Sequence, residues 1–333
     1  MNKYDVDAIG NALVDIEYHT DEHKLNELEI EKGLMTLIDE PRQNSLINFL
    51  GDSHESMACG GSAANSIIAL AQLGGNAHFD CRVANDITGQ FFTDDLSQSG
   101  VHSKLDMKQT SLGVTGKCLV FVTPDADRTM NTFLGASAEL DIRDIDHSAI
   151  AHSKFAYIEG YLVTAENSRE AAIKVRHIAE DCQIKTALTL SDPNMVLYFR
   201  DGLQEMIGDG VDLLFANEDE ANELAQSKDL NETITMLKKV SRTFAMTRGK
   251  QGAIVFDGEN LLEIRSHPVT AVDTLGAGDM FAGTFMYALT QGMSFQQAGD
   301  LASLTSSRIV TQYGPRLKAS ETKTLLAEFN SGI

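Results

Sequence analysis

The sequence predicts an α/β protein in which a doubly wound, mostly parallel sheet carries helices on both faces and a small β lid lies beside it. From Phe155 onward, strand patterns alternate with helical patterns, which is typical of βαβ units. Residues 113–134, by contrast, contain two β-runs around a Pro-Asp turn with no helix between them. The 333 residues, of which 43% are apolar and 23% charged, suffice for one large domain plus a smaller part. We therefore expect a single domain over residues 1–333, with the lid built from interleaved segments near 11–20 and 113–134.

In the first half of the chain, three strand-then-helix units precede the β-only segment. The stretches "YDVDAIG" and "NALVDIEY" are interpreted as one strand broken by glycine, and the acidic stretch after them has weak periodicity. The later elements, in order, are the helix "PRQNSLINFL", the short strand "MACGG", the helix "SAANSIIALAQLG", the strand "AHFDCRVA" and the helix "TGQFFTDDLSQSG".

The second half alternates more regularly. Its predicted elements, in order, are the strand "FAYIEGYLV", the helix "SREAAIKVRHIAEDC", the strands "TALTLSDP" and "VDLLFAN", the helices "EDEANELAQ" and "TITMLKKVSR", the strands "TFAMTRG", "GAIVFDG" and "LLEIRS", and three helices beginning near Ala277, Ser294 and Ser320. Open parallel sheets bind ligands beyond the carboxyl ends of their strands, so polar motifs at strand ends are the candidates for function.

The composition excludes several classes of partner. Forty-eight acidic and 27 basic residues give a formal charge of -21, which repels nucleic acids and anionic membranes, and no run of Lys or Arg offsets it. We therefore expect a small-molecule ligand and neither a nucleic-acid nor a membrane partner. The N-terminus has no long apolar core, and the cysteines form no C-x-x-C pair, which together predict a cytoplasmic protein. The expected buried free thiols are Cys59, Cys81, Cys118 and Cys182.

The stretch "VDTLGAGDMFAG" (272–283) carries the strongest candidate site. Gly276 and Gly278 permit a tight turn with exposed amides, and the start of the apolar helix that follows adds partial positive charge, so an anion is favoured here. Asp279 would lie beside that anion, where a carboxylate is useful if it takes a proton from a nucleophile. From these residues alone, the alternative is an aspartate favoured by the helix dipole beside a purely structural turn. The stretch matches neither a P-loop nor the G-x-G-x-x-G dinucleotide pattern.

Four further motifs offer weaker signals. "CGGSAANS" (59–66) is a second glycine turn before a helix, where an Asn amide could bind a polyol or the glycines could allow tight packing. "FANEDEANEL" (215–224) offers oxygen ligands for hydrated Mg²⁺, or acids that favour a helix start. "TRGKQGA" (247–253) could line a nucleotide or form an ordinary hairpin. "HTDEH" (19–23) matches the zinc pattern H-x-x-E-H, but its acid-rich surroundings indicate a solvated face.

Two of these motifs are more specific together than apart. "GGSAANS" and "DTLGAGD", about two hundred residues of α/β pattern apart, resemble the paired signatures of the ribokinase (carbohydrate kinase, PfkB-type) family. The similarity covers essentially the whole chain, and "GNALVDI", "FANEDEA" and "GAGDMFAGTF" are most similar to the adenosine-kinase branch. The resemblance implies a ribokinase-like fold and phosphoryl transfer from ATP with Mg²⁺.

The resemblance also implies roles for individual residues. Asp279 matches the catalytic base, and Gly276, Ala277 and Gly278 match the anion hole that stabilises the transferred phosphoryl group. The positions that hold sugar hydroxyls in the family match Asp15, Gly60, Gly61 and Asn65, and the turn that lines ATP matches Thr247, Gly249 and Gly252. The element that organises Mg²⁺ through water matches Asn217 and Glu220. A site for a monovalent cation such as K⁺, present in several members, matches Asp273 and the Leu275 carbonyl.

The acceptor stays open at this point. The first hypothesis is an ATP-dependent nucleoside 5′-kinase that phosphorylates the primary hydroxymethyl group, with adenosine favoured. The second is a kinase of a free sugar such as ribose or fructose, and the third is a catalytically silent binding protein on the same scaffold. The first two differ in whether the lid side of the pocket stacks a purine. The aromatic candidates for such stacking are Phe121, Phe133, Tyr157 and Tyr161, although aromatic residues at strand spacing are more often core.

A lid has a chemical purpose in such an enzyme, because phosphoryl transfer must exclude water. Arg128 in the lid segment could meet a phosphate or the sugar when the lid closes, or could form a surface ion pair with Asp125 or Asp127. The scaffold occurs both as a monomer and as a lid-mediated homodimer, and the sequence favours neither.

Overall fold

The computed structural model describes residues 3–105, 113–125 and 127–331. The strands in these ranges are β1 (Tyr4–Ile9), β2 (Leu13–His19), β3 (Met35–Leu37), β4 (Ser56–Gly60), β5 (Ala77–Asp80), β6 (Val101–His102), β7 (Thr115–Val122), β8 (Arg128–Gly135), β9 (Ser153–Glu159), β10 (Lys185–Thr189), β11 (Val211–Asn217), β12 (Ser241–Thr247), β13 (Ala253–Phe256) and β14 (Leu261–Ile264). The α-helices are α1 (Glu22–Glu27), α2 (Glu40–Leu50), α3 (Ser62–Gln72), α4 (Ile87–Gln98), α5 (His147–Ala151), α6 (Glu166–Asp181), α7 (Pro193–Tyr198), α8 (Arg200–Ile207), α9 (Glu218–Ala225), α10 (Leu230–Val240), α11 (Ala277–Thr290), α12 (Phe295–Ile309) and α13 (Ala319–Ser331).

The larger sheet has, within the described ranges, nine strands in the order β14-β13-β12-β11-β10-β9-β1-β5-β6. All neighbours from β12 to β6 run parallel, and β13 and β14 add antiparallel pairs at one edge. The chain leaves β1 toward β5 on one side and later returns to β9 on the other side. The carboxyl ends of β1 and β9 therefore flank the point at which the strand order reverses, where open α/β sheets bind ligands.

Helices cover both faces of this sheet because alternate residues of each strand point to opposite sides. Val6 of β1 belongs to the same apolar cluster as Ile67 of α3 and Phe285 of α11. Ile9 of β1 belongs instead to the cluster that contains Val175 of α6. The two clusters confirm the predicted doubly wound α/β fold.

The smaller sheet has five strands in the described ranges, in the order β3-β8-β7-β2-β4. Its strands β2, β7 and β8 come from the segments near 11–20 and 113–134, and β3 and β4 complete its two edges. The stretch interpreted as a single strand broken by glycine is instead two strands, β1 and β2. They lie in different sheets because the chain turns at residues 10–12 between them.

The structure differs from the sequence interpretation most clearly between β10 and β11, where α7 and α8 replace a direct passage from strand to strand. Asp192 caps α7 by accepting a hydrogen bond from the Asn194 amide at 2.7 Å, and Pro193 begins the helix.

Of the cysteines, Cys182 is exposed and the other three are buried. Among the residues that the structure describes, no helix combines the length and apolarity needed to cross a bilayer.

Candidate active site

A cavity of about 480 Å³ lies between the two sheets, beyond the carboxyl ends of the parallel strands of the larger one. Its lining joins side chains of β2, β3, β7 and β8 to residues that end or follow β1, β9, β10, β11 and β12. The sequence-predicted site residues that line it are Asp15, Gly61, Asn65, Asn217, Glu220, Thr247, Leu275, Gly276, Gly278 and Asp279. The predicted residues that do not line it are Gly60, Gly249, Gly252, Asp273 and Ala277.

Asp279 projects from the first turn of α11 into the cavity. Ser62 Oγ donates to its Oδ1 atom at 2.6 Å, and Asn65 Nδ2 donates to its Oδ2 atom at 3.2 Å. Both donors come from the first turn of α3, so two helix N-termini converge on one carboxylate. Burial raises the pKa of Asp279 from 3.8 to about 6, although the two hydrogen bonds oppose this rise. At neutral pH the group is mainly ionised and is a stronger base than an exposed aspartate.

The turn before α11 depends on glycine. Gly276 is the N-cap residue and has a φ of 71°, in the left-handed region, and a Cβ atom there would overlap the carbonyl oxygen of Pro315. The Ala277 amide donates to the Thr274 carbonyl at 3.3 Å. The first-turn amides that follow, including that of Gly278, have no acceptor within a helix. Together with the helix dipole, these amides favour an anion beside Asp279.

A second glycine pair brings β4 and α3 close to β2. A Cβ atom at Gly60 would overlap the Asp15 carboxylate, and one at Gly61, whose φ is 97°, would overlap the carbonyl oxygen of Asn11. Asp15 and Asn65 thereby face the same cavity. Burial raises the pKa of Asp15 from 3.8 to about 7. The arrangement offers a carboxylate and an amide to hydroxyl groups of a ligand.

Asn217 and Glu220 form a reciprocal capping box at the start of α9. Asn217 Oδ1 accepts from the Glu220 amide at 2.8 Å, Glu220 Oε2 accepts from the Asn217 amide at 2.9 Å, and Asn217 Nδ2 donates to Glu220 Oε1 at 2.7 Å. The helix-start interpretation of this motif therefore holds, and both residues also line the cavity. Burial raises the pKa of Glu220 from 4.5 to about 8. Each side-chain oxygen keeps a lone pair for a metal-bound water, so the pair fits a hydrated Mg²⁺ better than direct ligation.

The stretch 247–253 forms the connection between β12 and β13. Thr247 ends β12 and faces the cavity. Gly249 and Gly252 have φ values of 53° and 85°, and a Cβ atom at Gly252 would overlap the carbonyl oxygen of Ile264. The two glycines therefore shape the turn, and Thr247 is the member of this motif that meets the cavity.

Asp273 is buried, and its carboxylate is already occupied by protein groups. Oδ1 accepts from the Leu275 amide at 2.9 Å, while Oδ2 accepts from the Gly314 amide at 2.8 Å and from Arg128 Nη2. Arg128 belongs to β8, so this ion pair joins the smaller sheet to the loop before α11. The pairing replaces the surface ion pair suggested for Arg128 from the sequence. Arg128 also lines the cavity, where its Nε and Nη1 atoms have no partner among the described residues.

Glu159 ends β9 and lines the cavity, although its sequence context did not predict a site residue. Its Oε1 atom accepts from the backbone amide of Asn11 at 3.3 Å and from Asn11 Nδ2 at 2.8 Å, and its Oε2 atom accepts from the Ala63 amide at 2.9 Å. Burial raises the pKa of Glu159 from 4.5 to about 7. The carboxylate ties the turn after β1 to the start of α3. In the sequence, "FAYIEG" shows only a strand end, so the link was invisible there.

The side of the cavity formed by the smaller sheet carries an apolar surface next to the charged groups of Asp15 and Arg128. Met130, Thr132 and Leu134 face it from alternate positions of β8, and Met35 and Leu37 face it from β3. This surface lies across the cavity from the polar groups at the ends of the larger sheet. A ligand that fills both sides must carry a polar part and an apolar part.

The aromatic candidates divide unevenly between cavity and core. Tyr161 lines the cavity, whereas Phe121 and Tyr157 are buried in the main apolar cluster. Phe133 occupies a β8 position between two lining residues and points to the other face of the strand. Phe215 and Phe281 also line the cavity, although the sequence did not single them out.

Comparisons with known proteins identify the family of the chain. Residues 51–323 match the model of the pfkB family carbohydrate kinases. An adenosine kinase from Dictyostelium discoideum is 26% identical over 97% of this chain and 99% of its own length, and a ribokinase from Lactococcus lactis subsp. lactis is 30% identical over 84% and 89%. The crystal structure of adenosine kinase from Sinorhizobium meliloti superimposes with a TM-score of 0.91 at 35% identity, covering 98% of this chain and 99% of that one. The family uses ATP and Mg²⁺ in general, and the chain accordingly belongs to the pfkB family of carbohydrate kinases and is an ATP-dependent kinase.

Proposed function

We propose that this kinase transfers the γ-phosphate of ATP to the 5′-hydroxyl of a nucleoside, with adenosine as the favoured acceptor. The observation that carries the proposal is the two-sided cavity, in which carboxylate and amide groups face an apolar surface. A nucleoside matches both sides, because its ribose carries hydroxyl groups and its base is a flat, largely apolar ring. The similarity to adenosine kinases supports the same acceptor.

In the proposed reaction, the acceptor hydroxyl lies between Asp279 and the γ-phosphorus. Asp279 takes the hydroxyl proton as the oxygen attacks, a new oxygen–phosphorus bond forms, the bond between the γ-phosphorus and the bridging oxygen breaks, and ADP leaves. The turn formed by Gly276, Ala277 and Gly278 places the free first-turn amides, including that of Gly278, beside the transferred group and stabilises its charge, while the Ala277 amide holds the turn by its bond to the Thr274 carbonyl. The pKa of about 6 at Asp279 supports this role, because the base is ionised at neutral pH.

The remaining predicted residues divide between the two substrates. Asp15 and Asn65, with the backbone at the Gly60–Gly61 pair, bind the ribose hydroxyls, and Thr247 in the turn shaped by Gly249 and Gly252 lies against ATP. Asn217 and Glu220 would hold Mg²⁺ through water molecules, and the ion would supply positive charge to offset that of the phosphates. The hydrogen-bonded state of that pair supports an indirect contact.

The smaller sheet acts in this proposal as a lid. Its apolar face covers the base, and its approach to the larger sheet excludes water from the transferred phosphoryl group. The ion pair between Arg128 and Asp273 supports this assignment, because it connects the lid directly to the loop that precedes α11.

A free sugar is the alternative acceptor, because the chain is also similar to a ribokinase. A pentose is polar all round and would leave the side chains of Met35, Leu37, Met130 and Leu134 facing water or an empty space. Because burying apolar surface is favourable, the nucleoside fits the cavity better.

The experiment is an acceptor panel. We would incubate the protein with Mg·ATP and adenosine, inosine, guanosine, ribose or fructose, follow ADP release, and locate the new phosphate by NMR. Adenosine turnover that yields the 5′-monophosphate and is lost in Asp279→Asn supports the proposal. Turnover with a free sugar alone would reject the acceptor and keep the mechanism, and absence of turnover with every acceptor would reject both.

A further inference from the structure

A buried cluster of metal-binding side chains lies away from the cavity, on β1 and β5. Asp7 of β1 is paired in register with His78 of β5, and Asp80 lies two residues further along β5 on the same face. One ligand atom from each residue lies within 4.8 Å of the other two. Within the part of the chain that the structure describes, no other group of His, Cys, Asp or Glu side chains converges in this way. None of the three residues lines the cavity.

The protein leaves two carboxylate oxygens of this cluster without partners. Asp7 is fully buried and Asp80 is 1% exposed, yet Asp7 Oδ2 and Asp80 Oδ1 accept no hydrogen bond. Buried carboxylates are normally hydrogen-bonded, paired with a cation or bound to a metal. Lys104 does not reach these oxygens, because its Nζ atom pairs with Asp146 Oδ1 at 2.9 Å. A cation held by Asp7 and Asp80, which each have a ligand atom within 4.8 Å of the other, would offset the charge of the two buried carboxylates.

His78 Nδ1 and Asp7 Oδ1 are hydrogen-bonded to each other, so a bound ion would replace this bond. His78 Nδ1 lies 2.5 Å from Asp7 Oδ1 and 3.6 Å from Asp80 Oδ1. In a tetrahedral zinc site with bonds of 2.0–2.2 Å, ligand atoms are roughly 3.3 Å apart, so the His78–Asp7 pair would have to open by about 0.8 Å, while the His78–Asp80 pair is already near that separation. One imidazole and two carboxylates leave the fourth position for water.

The second ring nitrogen of His78 has a carboxylate nearby, beyond hydrogen-bond distance. This nitrogen, Nε2, lies 4.0 Å from Asp146 Oδ2. Metal-bound histidines usually direct their second nitrogen at a carboxylate or carbonyl group that fixes the ring orientation. Asp146 is itself held in place, since it caps α5 and its amide donates to Asp80 Oδ2 at 3.0 Å.

From these observations we propose that Asp7, His78 and Asp80 bind one divalent transition-metal ion, of which Zn²⁺ fits the donor set best. The site is separate from the Mg²⁺ position of the kinase reaction and does not depend on the proposed acceptor. Because its ligands come from adjacent strands and Asp80 also binds the start of α5, the ion would fasten β1, β5 and α5 together. Its role is to stabilise the sheet next to the strand that leads into the active site.

The test uses the full-length protein and Zn²⁺ in a buffer that contains excess Mg²⁺. Equilibrium dialysis with metal analysis should find about one Zn²⁺ per chain, and Zn²⁺ should raise the melting temperature. His78→Gln and Asp80→Asn should each bind Zn²⁺ at least about 10-fold more weakly. Both variants should keep wild-type kinase activity in Mg²⁺ and lose the zinc-dependent rise in melting temperature.

The control is the pair His19→Gln and His23→Gln, which removes the H-x-x-E-H stretch and should leave zinc binding unchanged. If either His78→Gln or Asp80→Asn fails to fold, Co²⁺ added to the wild-type protein gives an independent reading, because a tetrahedral site with a nitrogen ligand produces visible absorption bands. Absence of zinc binding and of cobalt bands in the wild type would overturn the proposal. So would zinc binding that is lost in the control pair and retained in His78→Gln and Asp80→Asn, and the buried cluster would then hold protons in place of a metal.

Discussion

Replacing Asp279 with asparagine should remove catalysis and stabilise the protein at the same time. The side chain can be accommodated without a new unpaired group. Ser62 Oγ can still donate to the remaining carbonyl oxygen, and Asn65 can rotate its amide so that its Oδ1 atom, which is buried without a partner, accepts from the new amide nitrogen. Asp279→Asn should therefore fold with both side-chain contacts kept, the bond to Asn65 being reversed and Asn65 Nδ2 replacing Oδ1 as the atom without a partner.

The expected gain in stability follows from the pKa. Burial is the main cause of the rise from 3.8 to about 6, which corresponds to a cost of about 3 kcal/mol when the carboxylate is ionised in the folded protein. The folded state holds the proton more tightly than the unfolded state, so this cost is absent below about pH 4 and complete above about pH 6. At pH 8, Asp279→Asn should melt roughly 4 °C above the wild type, and the difference should vanish near pH 4.

The activity should change in the opposite direction. A positioned general base contributes about 10²- to 10⁴-fold to the rate, so kcat should fall by that factor. In the wild type, activity should decrease as the pH falls through about 6, and the residual activity of the variant should lack this limb. Thermal unfolding and initial rates between pH 4 and 9 measure both effects. Wild-type activity in Asp279→Asn would refute the role as base, and an unchanged melting temperature at pH 8 would refute the burial argument.

Three further predictions concern the groups around Asp279. Because Arg128 already supplies a cation to the Asp273 carboxylate, the reaction rate should not depend on K⁺. Rates measured with K⁺ and with a bulky organic cation in its place test this, and strong activation by K⁺ would contradict it. Gly276→Ala places a Cβ atom against the Pro315 carbonyl and should distort the anion-binding turn, lowering kcat by about 10²-fold or more in steady-state assays. Glu159→Ala leaves three donors without an acceptor and should lower the free energy of unfolding by about 2–4 kcal/mol in urea titrations.

Matched variants separate these effects from general damage. Gly292 also has a positive φ, 82°, but a Cβ atom there meets no atom within 4 Å, so Gly292→Ala should keep full activity. Glu170 is exposed on α6, and Glu170→Ala should leave the unfolding transition in place. Equal losses in a variant and its control would contradict the specific contact that the prediction invokes.

The parts of the fold that the sequence predicted are those with a local signal. The alternation of strands and helices after Phe155 indicated the parallel sheet, and the glycine turn before Asp279 indicated the start of α11. The helices α7 and α8 were missed because the run of strand-forming residues before Pro193 dominated the pattern, although a proline after a capping aspartate marks a helix start.

The parts that could not be predicted depend on contacts between distant segments. Glu159 binds Asn11, 148 positions away in the chain, and a strand-end glutamate carries no sign of that partner. Arg128 pairs with Asp273 across 145 positions, so its own neighbours in sequence gave the wrong partner. The apolar side of the cavity likewise arises only when β3 and β8 lie side by side.

The central claim is that this apolar side receives the base of a nucleoside. The most direct measurement is kcat/KM for adenosine and for ribose, in the wild type and in Met130→Asn, with Leu261→Asn on exposed β14 as the control. We expect the wild type to prefer adenosine, and Met130→Asn to lose roughly 10- to 100-fold with adenosine while ribose and the control change little. A preference for ribose, or an equal loss with both acceptors, would contradict the account.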